Sequence, residues 1–140
     1  MKPSRHLRAA IITPFDDDGR RVATAISEGL ERAGFEVIRL ESMFRPGSPL
    51  TASMTEAIAA ANLVVADLSR QNPNVYYELG FAHGLRKPTI LVTSSEGAAN
   101  VASDLQGFLY LAYDRSNLTR FVEEVRRAAL VSSGPVAAAR

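Results

Sequence analysis

The stretch Asp67-Leu-Ser-Arg-Gln-Asn-Pro-Asn-Val-Tyr-Tyr-Glu78-Leu-Gly-Phe-Ala-His83-Gly-Leu-Arg-Lys-Pro-Thr-Ile-Leu-Val92 reads as strand end, loop, helix, turn and strand. Asn72-Pro73 is a helix start: a side chain that caps free backbone N–H groups, then a residue that lacks one. Gly84 stops the helix. Between them Val75, Leu79 and Ala82 recur at helical spacing and form a stripe for a sheet to cover. Asn74, Glu78, Phe81 and Leu85 form the neighbouring stripe. A carboxylate therefore sits at the border of a buried face, looking across the strand ends.

The same alternation of strand and helix runs outward in both directions. Ala9–Phe15 is an apolar run ending near a proline, as in a strand buried on both faces. Asp16–Arg21 reads as a polar loop. A helix follows over Val22–Ala33, closed by Gly34, and then a strand over Phe35–Leu40. Glu41–Ser48 reads as a loop, and Ser48-Pro49 repeats the cap-then-proline signal. The next helix reaches about Ala61 with Met54, Ala57, Ile58 and Ala61 as its stripe. Leu63–Ala66 is the third strand and Thr89–Val92 the fourth. Thr93–Gly107 is a polar loop with a helical turn near 100–105. Phe108–Tyr113 is the fifth strand and Ser116–Leu130 the last helix.

Such alternation with short links predicts right-handed crossovers and a parallel sheet covered on both sides. The expected fold is α/β: one flavodoxin-like three-layer sandwich with a five-stranded parallel sheet in order 2-1-3-4-5. Residues 1–7 read as an N-terminal extension, 8–130 as the domain and 131–140 as a flexible C-terminal tail. Ligands of such sheets bind beyond the carboxyl ends of the strands.

Composition removes several function classes. The 140 residues carry a net charge of +1, and their sixteen Lys and Arg form no long basic run, so no nucleic-acid partner is expected. There is no Cys and there are two His, which leaves no thiolate or histidine-rich metal site. Asp16-Asp-Asp18 reads as a solvated loop, not a magnesium site. No run approaches the ~18 apolar residues of a membrane helix, so no membrane is expected and the protein is read as cytoplasmic. No Gly-x-Gly-x-x-Gly follows the first strand and there is no P-loop, and no cofactor is expected.

Burying a carboxylate without partners costs several kcal/mol or forces protonation. Glu78 can meet that cost as one half of an ion pair with Arg70 or Arg86. It can also serve chemistry, with Asp67 expected on the same rim and in the same cleft. Paired carboxylates suit acid/base and nucleophilic work.

The segment from Ala66 to Pro88 resembles the signature of the nucleoside 2-deoxyribosyltransferase-like superfamily. It is closest to a bacterial group reading Ala-Asp-Leu-Thr, then Asn-Pro-Asn-Val-Phe-Tyr-Glu-Leu-Gly, Ala-His and Lys-Pro. Ile11-Ile-Thr-Pro-Phe15 and Ala33-Gly-Phe-Glu-Val37 fit the same group. The resemblance implies N-glycosidic chemistry, with Glu78 as the nucleophile on the anomeric carbon. Asp67 then matches a strand-end aspartate that orients base or sugar. The transferases carry a further aspartate six residues before the glutamate, where this chain has Asn72. That departure leaves hydrolysis open beside base exchange.

A carboxylate below the sugar can stabilise or capture the developing oxocarbenium ion, as in retaining glycosidases. Pro14 and Phe15 at the end of the first strand, Asn72 and Asn74 on the helix, and Ser94 and Ser95 after the fourth strand are the candidate substrate contacts. Phe15 would stack on a base, and the serines would hold a 5′-phosphate. The expected partner is a small-molecule nucleoside or nucleotide. The resemblance also implies a homodimer or higher homo-oligomer. Two other readings stand beside it. TIR domains share the layout and a helix glutamate that cleaves NAD. A non-catalytic nucleotide-binding or oligomerising module would need Glu78 only as an ion pair.

Overall fold

A computed structural model describes residues 6–43, 50–96 and 110–132. The expected Ser48-Pro49 helix start, the turn near 100–105 and most of the C-terminal tail lie outside the described residues. The elements run β1 (Arg8–Ile12), α1 (Asp17–Arg32), β2 (Glu36–Arg39), α2 (Leu50–Ala60), β3 (Leu63–Asp67), α3 (Pro73–Gly84), β4 (Thr89–Ser94), β5 (Tyr110–Tyr113) and α4 (Thr119–Ser132). A short 3-10 turn over Leu40–Met43 occupies the start of the segment expected to be loop.

All four strand pairings are parallel, and the order is β2-β1-β3-β4-β5. This is the expected flavodoxin-like three-layer sandwich. The strands alternate between two cores, as side chains on a pleated sheet must. Ala9, Ile11, Leu63, Val65, Ile90 and Val92 pack under α1 and α4 with Ile26, Leu30, Phe121 and Val125. Ala10, Ile12, Val64, Ala66 and Leu91 pack under α2 and α3 with Met54, Ile58, Val75 and Leu79. Each fully buried Ile or Leu contributes about 1.5–3 kcal/mol over an exposed one.

Helix α1 begins five residues before the expected Val22. Its N-cap is Asp16, whose carboxylate accepts from the Gly19 amide at 2.7 Å. Asp17 and Asp18 follow in the first turn, where acids favour the helix dipole. The apolar stripe starts only at Val22 because the first turn carries two acids, Gly19 and an exposed Arg20. The acids read as a solvated loop are therefore a helix start. A Cβ on Gly29 would lie 2.6 Å from the Val122 carbonyl oxygen, so α1 and α4 touch backbone to side at that point.

Candidate active site

Helix α3 starts as the sequence implies. Asn72 has extended backbone, and its side-chain oxygen accepts from the Asn74 amide at 2.9 Å and from the Val75 amide at 3.4 Å. Pro73 follows at the first helical position. Val75, Leu79 and Ala82 are buried against the sheet. Glu78 lies in the second turn, and only 7% of it is exposed. Arg70, one of its two candidate partners, instead pairs with Asp16 at 2.5 Å. Glu78 has no hydrogen bond or ion pair among the described residues. Burial without compensation pushes its carboxyl up to about 7.

The Glu78 carboxyl faces a cleft of about 320 Å³, which falls within the range of small-molecule sites. Among the described residues, Phe15, Asn74, Tyr77 and Phe81 line it beside Glu78, with Met54, Thr55 and Ile58 of α2 opposite. Three aromatic rings and two aliphatic side chains make the walls apolar. Asn74 and Thr55 are the polar groups on them. An aromatic ring fits between such walls, and a carboxyl of matched pKa stands at its edge.

Asp67 is elsewhere. Strand β3 sends Leu63 and Val65 to the α1/α4 core and Val64 and Ala66 to the α2/α3 core. Alternation then carries Asp67 to the α1/α4 side, the face opposite Glu78. Its carboxyl is hydrogen-bonded to the Tyr113 hydroxyl at 2.8 Å and the Ser69 hydroxyl at 2.5 Å, and it accepts from the Ser69 amide at 3.1 Å. It is 2% exposed, and burial raises its pKa despite these hydrogen bonds and the nearby Arg70 charge. The two carboxyls expected in one cleft thus stand at the same rim on opposite faces of the sheet.

A second cleft, of about 150 Å³, opens on the Asp67 side between Asp18, Arg21, Ser69, Arg70, Ser94, Glu96, Tyr113 and Arg115. Its arginines are engaged: Arg70 by Asp16, Arg115 by Asp18 and Glu96, and Arg21 by the Arg115 carbonyl. Ser94 lines this cleft, but its amide donates to the Ser69 hydroxyl at 2.7 Å. Both the amide and the hydroxyl of Ser95 donate to the Tyr113 carbonyl, at 2.9 and 3.2 Å. The Ser94 amide and both Ser95 donors, expected to hold a phosphate, are thus used inside the protein.

Pro14 is buried, and its carbonyl oxygen would lie 2.0 Å from a Cβ on residue 19, so only glycine fits there. This close approach, the Asp16 cap and the Asp16–Arg70 ion pair fix the β1–α1 loop that carries Phe15. The structure therefore brings Phe15 and Asn74 together with Glu78. It makes Asn72 the cap of α3, puts Asp67 and Ser94 on the other face, and ties Ser95 to the Tyr113 carbonyl. Thr13 buries a hydroxyl that has no hydrogen-bond partner among the described residues.

No family model matches the chain, and no curated protein does. Solved structures do. The fold is shared with a CMP N-glycosidase, a 2-deoxyribosyltransferase and a TIR domain. The Clostridium botulinum CMP N-glycosidase BcmB superposes with a TM-score of 0.67 at 18% identity, over 86% of this chain and 99% of that one. The TIR domain of the Toll-related receptor TRR-2 from Hydra magnipapillata gives 0.64 at 21% identity, over 88% and 94%. The 2-deoxyribosyltransferase from Bacillus psychrosaccharolyticus gives 0.63 at 16%, over 83% and 90%. At these identities the likeness is one of fold.

Tyr113, Ser69, Tyr77 and Phe81 take places that residue chemistry alone did not assign. Phe81 was visible as a neighbour of Glu78 on one helical stripe. Tyr113 was not, because its partner lies 46 residues away on a non-adjacent strand. No helix among the described residues is long and apolar enough to cross a membrane.

Proposed function

We propose that this protein cleaves the N-glycosidic bond of a nucleoside or nucleotide, with Glu78 as the carboxylate nucleophile. The observation that carries the reading is an unpaired, buried carboxyl at the edge of an aromatic-walled cleft. The shared fold with a CMP N-glycosidase and a 2-deoxyribosyltransferase supports it.

The chemistry follows from the site. A base stacked among Phe15, Tyr77 and Phe81 would present its sugar to Glu78. The ionised carboxylate attacks the anomeric carbon as the C1′–N bond breaks, and the bond pair leaves on the base, which takes up a proton from solvent. A poorly solvated carboxylate loses little hydration when it becomes an ester. Water then opens the glycosyl–enzyme ester and regenerates Glu78; a second base in its place would make the reaction a transfer. With Glu78 at about 7, its nucleophilic form fills in as pH rises through neutrality.

The deciding experiment is base release, followed by chromatography, from ribo- and deoxynucleosides, their 5′-monophosphates and NAD. Wild type is compared with Glu78→Gln. Release from a nucleoside or monophosphate, lost in the variant, is expected. Release of nicotinamide alone would favour the TIR-like reading. Absence of turnover from wild type would refute an enzyme and leave a binding module.

A further inference from the structure

The Asp67 carboxyl, the Ser69 hydroxyl and the Tyr113 hydroxyl close a ring. Ser69 Oγ lies 2.5 Å from Asp67 Oδ1, Tyr113 Oη lies 2.8 Å from Asp67 Oδ2, and the two hydroxyl oxygens lie 2.8 Å from each other. Three oxygen–oxygen contacts of that length each need a hydrogen between them. Serine and tyrosine supply one each. A third is missing if Asp67 is a carboxylate, and a protonated Asp67 supplies it.

Ser69 Oγ also accepts from the Ser94 amide at 2.7 Å, so that lone pair is taken and the hydroxyl has little freedom to turn away. Either sense of donation around the ring then works only with the carboxyl proton in place. We infer that Asp67 is a neutral carboxylic acid in the folded protein, and that it acts as a positioning residue by pinning the ends of β3, β4 and β5 together.

The surrounding charges are consistent with this. From β5, Tyr113 faces Asp67 with a hydroxyl whose own pKa burial pushes up, so it stays a donor. From the turn after β3, Arg70 is the cation near Asp67, and its guanidinium is bound to Asp16. From α1 and the loops after β4 and β5, Asp18, Arg21, Glu96 and Arg115 line the adjoining cleft and largely pair with one another. None of Asp18, Arg21, Glu96 and Arg115 contacts the Asp67 carboxyl. The ring holds Ser69 just ahead of Gln71, which has a positive φ of 47°, and of the Asn72 cap. Helix α3 and Glu78 take their position from that turn. Under the glycosidic reading, this divides the two acids: Glu78 carries the charge, and Asp67 holds the frame without competing for it.

The test does not depend on turnover. Protein labelled with ¹³C at the aspartate side-chain carboxyl is studied by infrared spectroscopy at pH 7.5. The expected result is a protonated-acid carbonyl band that disappears in Asp67→Asn. The exposed Asp114 and the Arg70-bound Asp16 have lowered pKa values and give carboxylate bands only. Absence of the acid band from wild type overturns the inference, whether or not the variant folds. A second readout is the Glu78 titration, followed by ¹³C NMR. An unshifted midpoint in Asp67→Asn is expected, since no charge has been removed. A fall in that midpoint would show that Asp67 had been an anion.

Discussion

Asp67 and Glu78, the buried carboxyls at the carboxyl edge of the sheet, stand on opposite faces of it, one bonded to Tyr113 and the other unpaired over an apolar cleft. Their different surroundings give them different physics. Asp67 is surrounded by hydroxyls that can share its proton. Glu78 faces mostly rings and aliphatic groups and has no hydrogen bond or ion pair among the described residues.

Glu78 should make stability depend on pH. Its folded value of about 7 exceeds the ordinary 4.5, so the folded chain holds the proton more tightly than the unfolded one. The contribution is fully present below about 4.5 and is lost as pH rises through about 7. Allowing for solvent at the cleft mouth, the difference is about 1–3 kcal/mol. Glu78→Gln should match wild type at pH 4.5 in urea unfolding and exceed its stability by that amount at pH 8. Parallel curves for the two proteins would mean that Glu78 is better solvated than its burial implies.

Asp16 and Arg70 form one ion pair, but their loss should not be equal. The pair is partly exposed, with side-chain exposures of 45% and 38%, so Arg70→Ala should cost about 0.2–1 kcal/mol. Asp16→Ala removes the pair and also the cap of α1, and should cost about 1–2 kcal/mol. Denaturant midpoints of the two variants decide it. Equal losses would place the value in the pair and not in the cap.

Phe15 is 38% exposed, so it contributes little to the core and much to the wall of the Glu78 cleft. If a base stacks there, Phe15→Ala should raise KM for base release roughly 2–10-fold, the value of about 0.5–1.5 kcal/mol for an aromatic contact. Unfolding should move by less than about 1 kcal/mol. An unchanged KM would take the base away from this wall.

The sequence disclosed these features unequally, for physical reasons. The stripe Val75, Leu79, Ala82 and its neighbour containing Glu78 follow from helical geometry; the structure reproduces the first, and of the second it brings Asn74, Glu78 and Phe81 to the cleft while Leu85 is an exposed C-cap. The side taken by Asp67 did not follow. Leu63–Asp67 is buried along its whole length, so no alternation of polar and apolar residues marks which positions share a face. Asp16–Asp18 misled for the opposite reason. Their polarity resembles a loop, whereas the capping bond to Gly19 makes them a helix start. The phosphate reading of Ser94 and Ser95 depended on free donors. Whether an amide is free is settled by strand pairing and by Ser69, which lies 25 residues before Ser94.

Thr13 offers the cleanest separation of fold from function. It follows Ile12 at the end of β1, is 2% exposed, and its hydroxyl has no partner among the described residues. A buried hydroxyl without a hydrogen bond costs about 1–3 kcal/mol relative to a methyl of the same shape. Thr13→Val keeps the branching at Cβ and the volume, so it should stabilise the protein by about 1 kcal/mol in thermal or urea unfolding. Base release should be unchanged if the hydroxyl serves only the fold. A stabilised variant that loses turnover would instead show that Thr13 is held unpaired for a ligand. A destabilised one would show that the hydroxyl already has a partner in solution.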